Sequence, residues 1–173
     1  GGIIAQELAL AHPELIKSLV IISSWAKCDA YALQVFDHFK DMRKIATPAD
    51  FMKLLQLWIF APAFFANPDC AEALSEGQET AHENHMELHA FLAQADACMS
   101  HDSVSRVSAL SQFPTLITVG DQDIFTPVKF SQELHQLIEG SELKIYPGTG
   151  HAHHWEVLDD FNRDTTEFML KHS

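Results

Sequence analysis

The stretch Thr115-Leu116-Ile117-Thr118-Val119-Gly120-Asp121-Gln122-Asp123-Ile124-Phe125-Thr126-Pro127 decides the fold. Its first five residues form a short apolar, β-branched run, introduced by Pro114 and stopped by Gly120. Such a run predicts a strand buried on both faces of a parallel sheet. Far upstream, Leu19-Val20-Ile21-Ile22 has the same character and ends in Ser23-Ser24. Downstream, Leu143-Lys144-Ile145-Tyr146 alternates apolar and polar, the pattern of a strand nearer a sheet edge. Thr126 is placed to cap a helix with Pro127 at its first position, and Phe130, Leu134, Leu137 and Ile138 make one stripe that Gly140 ends. A last helix carries Leu158, Phe161, Thr165 and Phe168, and a first helix carries Ile4, Leu8 and Ala11 until His12-Pro13 closes it. Strands alternating with helices predict an α/β fold with a mostly parallel sheet and right-handed crossovers.

Between the first two strands, residues 25–112 read as entirely helical. Thr47-Pro48-Ala49-Asp50 is an N-terminal cap signature leading into Phe51, Leu54, Leu55 and Trp58. Pro62 and Pro68 interrupt the pattern, and a long polar-faced helix is expected over 75–99. This segment is a helical insertion over the sheet, leaving 1–24 and 113–173 as the sheet-bearing core. No internal repeat or low-complexity tract is present.

The composition narrows the function classes. The 173 residues are 47% apolar, enough to bury a core and too apolar for a disordered chain. No apolar run approaches the roughly 18 residues of a membrane span; the longest candidate, 51–65, is broken by Lys53, Gln56 and Pro62. Neither a membrane nor a nucleic acid is expected as partner, since a net charge of −13 repels phosphate backbones. Cys28, Cys70 and Cys98 form no C-x-x-C pair and no disulfide framework, which fits a reducing cytoplasm.

Asp123 follows a buried strand, where α/β folds build their sites at the carboxyl ends of the sheet. Gly148-Thr149-Gly150-His151 follows the next strand in the same manner, its glycines allowing a turn tight enough to aim the imidazole back across the strand ends. An Asp and a His so placed can hydrogen-bond, the acid fixing the tautomer of the base. Asp121 is on the wrong phase of the turn and is expected to face solvent. His153 and His154 read as capping or surface residues at the start of the last helix. His82, His85 and His89 share a helix face, and His85 and His89 have the spacing of two zinc ligands. The H-E-x-x-H order is absent, however, so neither metal nor cofactor is expected.

These motifs together resemble the α/β-hydrolase family. G-D-Q-D-I-F-T-P and G-T-G-H are similar to its acid and base motifs, and Gly1-Gly2-Ile3-Ile4-Ala5-Gln6 is similar to the tail of its nucleophile elbow, G-x-S-x-G-G, running into the following helix. The order Ser…Asp…His is kept. The resemblance implies a cap-bearing hydrolase, with 25–112 as the cap, Asp123 orienting the base and His151 as general base and later general acid. Gly1 and Gly2 would be the remnant of the elbow. The nucleophile, the amide that follows it and the loop completing the oxyanion hole would then all precede Gly1, making this a C-terminal part whose N-terminal half is missing and which alone lacks activity. A serine nucleophile implies a triad acting on small esters, lactones or related acyl substrates. Carbon–carbon bond hydrolysis, an aspartate nucleophile of the dehalogenase and epoxide-hydrolase kind, and a non-catalytic small-molecule receptor remain alternatives. Trp25, Phe60, Phe64 and Phe65 are candidates to line an acyl pocket. The first strand would have lost its outer neighbour and the first helix part of its cover, so a homodimer or pairing with the missing half is expected.

Overall fold

The computed structural model describes residues 1–84 and 86–173, His82 by its backbone alone. Three strands, β1 (Leu19–Ile22), β2 (Thr115–Gly120) and β3 (Glu142–Tyr146), form a parallel sheet in the order β1-β2-β3. Leu19 pairs with Thr115 and Gly120 with Tyr146. Every residue of β2 is buried, whereas β3, at the end of the strand order, is mostly accessible, with Tyr146 rather than Ile145 buried. The shared direction brings the carboxyl ends of the strands to one rim of the sheet.

The helices follow in chain order: α1 (Gly2–Ala11), α2 (Ala30–Ile45), α3 (Pro48–Ile59), α4 (Pro62–Ala66), α5 (Ala71–Glu83), α6 (Leu88–Ser100), α7 (Val128–Leu137), α8 (His153–Glu156) and α9 (Leu158–Lys171). Ala9 of α1, Val107 and Leu110 of a 3-10 turn, and Leu134 of α7 with the following Ile138 pack on Leu19, Ile21 and Ile117. That layer removes the largest aliphatic side chains from water. Ile4 and Leu8 are exposed; α1 buries Gln6 and Ala9 instead. α9 lies against β3, with the Tyr146 and Phe161 rings 6.2 Å apart and the Tyr146 hydroxyl donating to Asp164 Oδ2 at 2.9 Å.

Among the described residues of 25–112 the regular elements are helices, apart from one antiparallel bridge, Lys27 to Asp102. Thr47 caps α3 as its sequence predicts, accepting the Asp50 N–H at 3.1 Å. The single helix expected over 75–99 is instead two, α5 and α6. Asn84 ends α5 in a non-helical conformation, as suits an amide side chain that competes with backbone hydrogen bonds. Arg43 of α2 then ties the connection down by donating to Met86 O at 2.8 Å. Buried Phe39 of α2 meets Phe51 and Trp58 of α3 and also Phe125, so this aromatic layer reaches the loop after β2. Cys28, Cys70 and Cys98 carry free thiols. Among the described residues no helix is long and apolar enough to cross a membrane.

Candidate active site

Two loops leave the sheet side by side, one after β2 and one after β3. They touch through their backbones: a Cβ on Gly120 would lie 2.2 Å from Gly150 O and 2.3 Å from Thr149 O, so only glycine fits. Gln122 N–H donates to Thr149 O at 2.9 Å, and exposed Asp121 accepts the Gly148 N–H at 2.7 Å. Asp121 thus faces solvent while stapling the second loop to the first.

Asp123 is buried by this arrangement. Its Oδ1 accepts the Phe125 and Thr126 amides at 2.9 and 2.7 Å, and its Oδ2 accepts the Thr126 hydroxyl at 2.8 Å. His151 Nδ1 sits 3.0 Å from Asp123 Oδ2 and 2.9 Å from Thr126 Oγ1. An Nδ1 facing a carboxylate carries the ring proton, which leaves the Nε2 lone pair free; Nε2 has no hydrogen-bond partner among the described residues. Phe125 packs edge-on against the imidazole, with centroids 4.8 Å apart. A base held in one tautomer by a buried acid, with its second nitrogen available, can take a proton from a nucleophile.

Thr126 departs from the sequence expectation. It does not cap α7, whose N-cap is Pro127 without a side-chain bond, because its hydroxyl is turned inward to the Asp123 carboxylate. A charge-assisted bond in a buried site outweighs capping an amide open to water. The signal was present, since an Asp whose side chain takes the amides two and three residues on is an Asx turn, and D-I-F-T fits one. His153 also departs: it is fully buried rather than at the surface, with Nε2 3.0 Å from Thr118 Oγ1 and its ring stacked on Tyr146. Burial pushes its pKa down to about 4. Ser23, reached at the end of β1, carries a φ of 44°, a left-handed conformation that a serine rarely adopts. Its hydroxyl donates to His151 O at 3.1 Å, a role for which the sequence holds no sign.

Beside His151 lies a depression of about 400 Å³, bordered by Gly1, Gly2, Val20, Ser23 and His154 among others. A side chain on Gly2 would collide with Ser24, 2.5 Å away. None of the four aromatic candidates borders this depression. Trp25 is buried against Phe36 and Phe130, and reaches His151 only through Phe36 and Phe125. Phe60 stacks on Phe64 at 4.1 Å and meets the second loop at Gly150, while Phe65 is 40% exposed. Of the His82, His85 and His89 set, His85 and the side chain of His82 lie outside what the structure describes, and His89 is exposed. Among the described residues no three His, Cys, Asp or Glu side chains are placed to hold a metal ion.

The chain matches known proteins along nearly its whole length. A carbamate hydrolase RutD (so named provisionally) from Variovorax paradoxus is 25% identical over 171 residues, 99% of this chain and 63% of that protein. Among solved structures, the α/β-hydrolase enzyme MGS-M2 from a Medee basin deep-sea metagenome library superposes with a TM-score of 0.87 at 23% identity, over 98% of this chain and 62% of the other. The enol-lactonase of Burkholderia xenovorans LB400 superposes with a TM-score of 0.86 at 15% identity, over 98% and 62%. The chain thus spans a little under two thirds of the length of the relatives it matches. The family model described as the alpha/beta hydrolase fold matches residues 1–157, and with the parallel sheet and its paired loops this establishes that the chain belongs to the α/β-hydrolase family.

Proposed function

We propose that this chain carries the acid–base half of a hydrolase acting on small carboxylic esters, lactones or related acyl substrates, carbamates included, with residues 25–112 forming the cap. The observation that carries the reading is the buried Asp123 carboxylate 3.0 Å from His151 Nδ1, with Nε2 free beside the depression that Gly1 and Gly2 border. In this reading a serine ahead of Gly1 presents its hydroxyl at that depression. Nε2 takes the hydroxyl proton as the oxygen adds to the acyl carbon. The imidazolium, stabilised by Asp123, returns that proton to the leaving oxygen or nitrogen as the tetrahedral intermediate collapses. Water then repeats the sequence on the acyl-enzyme. The RutD relative supports an acyl substrate bonded to nitrogen, and the family supports hydrolysis in general.

The test is turnover of p-nitrophenyl acetate, a lactone and a carbamate by the protein with its nucleophile segment in place. His151→Ala and Asp123→Asn are expected to lower kcat by roughly 10³–10⁴-fold, as members of one catalytic unit do. Activity within about threefold of wild type in both variants would remove this pair from the site. Burst kinetics from the 173 residues alone would mean that Gly1 is not the end of an elbow.

A further inference from the structure

Two segments distant in sequence meet at one carboxylate. Glu156, at the end of α8, has both oxygens engaged: Oε1 accepts the Gly150 N–H at 2.8 Å and Oε2 accepts the Ala61 N–H at 3.2 Å. Gly150 immediately precedes His151, and Ala61 opens α4 in the helical segment. The junction is tight from the other side too. A Cβ on Gly150 would lie 2.8 Å from both Ala61 N and Ile59 O, and Ala152 N–H donates to Ile59 O at 2.8 Å. Both chain neighbours of His151 are therefore bonded to this junction, while its carbonyl is held by Ser23 and its ring by Asp123. Half-buried Glu156 keeps its place although burial and the Asp123 charge raise its pKa against the pull of the two amides. A carboxylate taken out of water in this way is tolerated because its hydrogen bonds to the two amides offset the lost hydration.

We propose that Glu156 is a positioning residue, a clamp that fixes residues 59–61 of the helical segment to the His151 loop so that the helical segment and the imidazole are set together. Its value to catalysis rests on the hydrolase reading above; its structural readouts do not. Glu156→Gln keeps the size of the side chain but offers one acceptor oxygen to two N–H donors, so one arm must open. By residue-resolved hydrogen exchange, Gly150 or Ala61 is expected to exchange at least about tenfold faster, with the amides of β2 unchanged and the His151 ring proton resonances shifted. Glu156→Asp keeps the charge and shortens the reach, and it is expected to open the same amides; should the Gln variant unfold, the Asp variant carries the test. Exchange at both amides within about twofold of wild type, an equal rise throughout β2, or an Asp variant indistinguishable from wild type would overturn the proposal. Absence of acyl turnover with these local changes intact counts against the hydrolase reading and not against the clamp.

Discussion

Asp123 has no spare lone pair. A carboxylate offers about four acceptor positions, and two amides, the Thr126 hydroxyl and His151 fill those of Asp123. An asparagine there has no good orientation, because its NH2 faces donors whichever way the amide is turned. Asp123→Asn is therefore expected to lose about 1–3 kcal/mol of stability in urea denaturation, besides its effect on turnover. Thr126→Val, nearly isosteric, removes one donor from Oδ2 and one acceptor near Nδ1. It is expected to lower kcat about tenfold at an unchanged KM, with Thr126→Ser restoring most of the rate. His153 gives a pH prediction. Its pKa of about 4 in the folded protein lies below the ordinary value near 6.5, so the unfolded chain binds the proton more tightly between these limits. Stability from this residue is complete above about pH 6.5 and falls as pH drops toward 4, by about 2 kcal/mol between pH 7 and pH 5. His153→Gln should flatten that part of the pH–stability curve; an equally steep curve in the variant would assign the acid sensitivity to other groups.

At the scale of elements, the contact between Gly120 and the 149–150 backbone predicts a sharp contrast between two glycines. Gly120→Ala forces the loops apart and is expected to cost about 3 kcal/mol. Gly140→Ala, at a φ of 78° with open space around it, is expected to cost about 1 kcal/mol from backbone strain alone. Urea midpoints of the two variants check this, and equal losses would mean that the loops yield freely. The strands were legible in the sequence because each is a short apolar run bounded by Pro, Gly or Ser, and such runs have few other ways to bury themselves. The neighbouring positions of Asp123 and His151 were legible for the same reason, since parallel strands place their following loops together. The break between α5 and α6 was not, because helical periodicity continues on both sides of it and a single Asn84 is a weak stop. Nor was Ser23, whose role comes from a partner across the sheet rim that no local pattern reveals.

For the whole molecule, the sheet order leaves the outer edge of β1 without a strand partner among the described residues, beside exposed Ile4 and Leu8. Unpaired backbone groups next to apolar side chains favour association, while a net charge of −13 opposes it. The isolated chain is therefore expected to self-associate increasingly as salt screens that repulsion. Light scattering across ionic strength checks this, and a monodisperse monomer throughout would show that the edge is protected. The order of the strands along the chain also sets a timetable. Asp123 and His151 are 28 residues apart, joined through α7 and β3, whereas β1 must find β2 across the whole helical segment. Closing that longer loop of about a hundred residues carries roughly 1 kcal/mol more entropic penalty than closing the shorter one. Refolding chains should therefore bring acid and base together before the sheet is finished, and pulse-labelled amides of β2 and β3 should be protected ahead of those of β1.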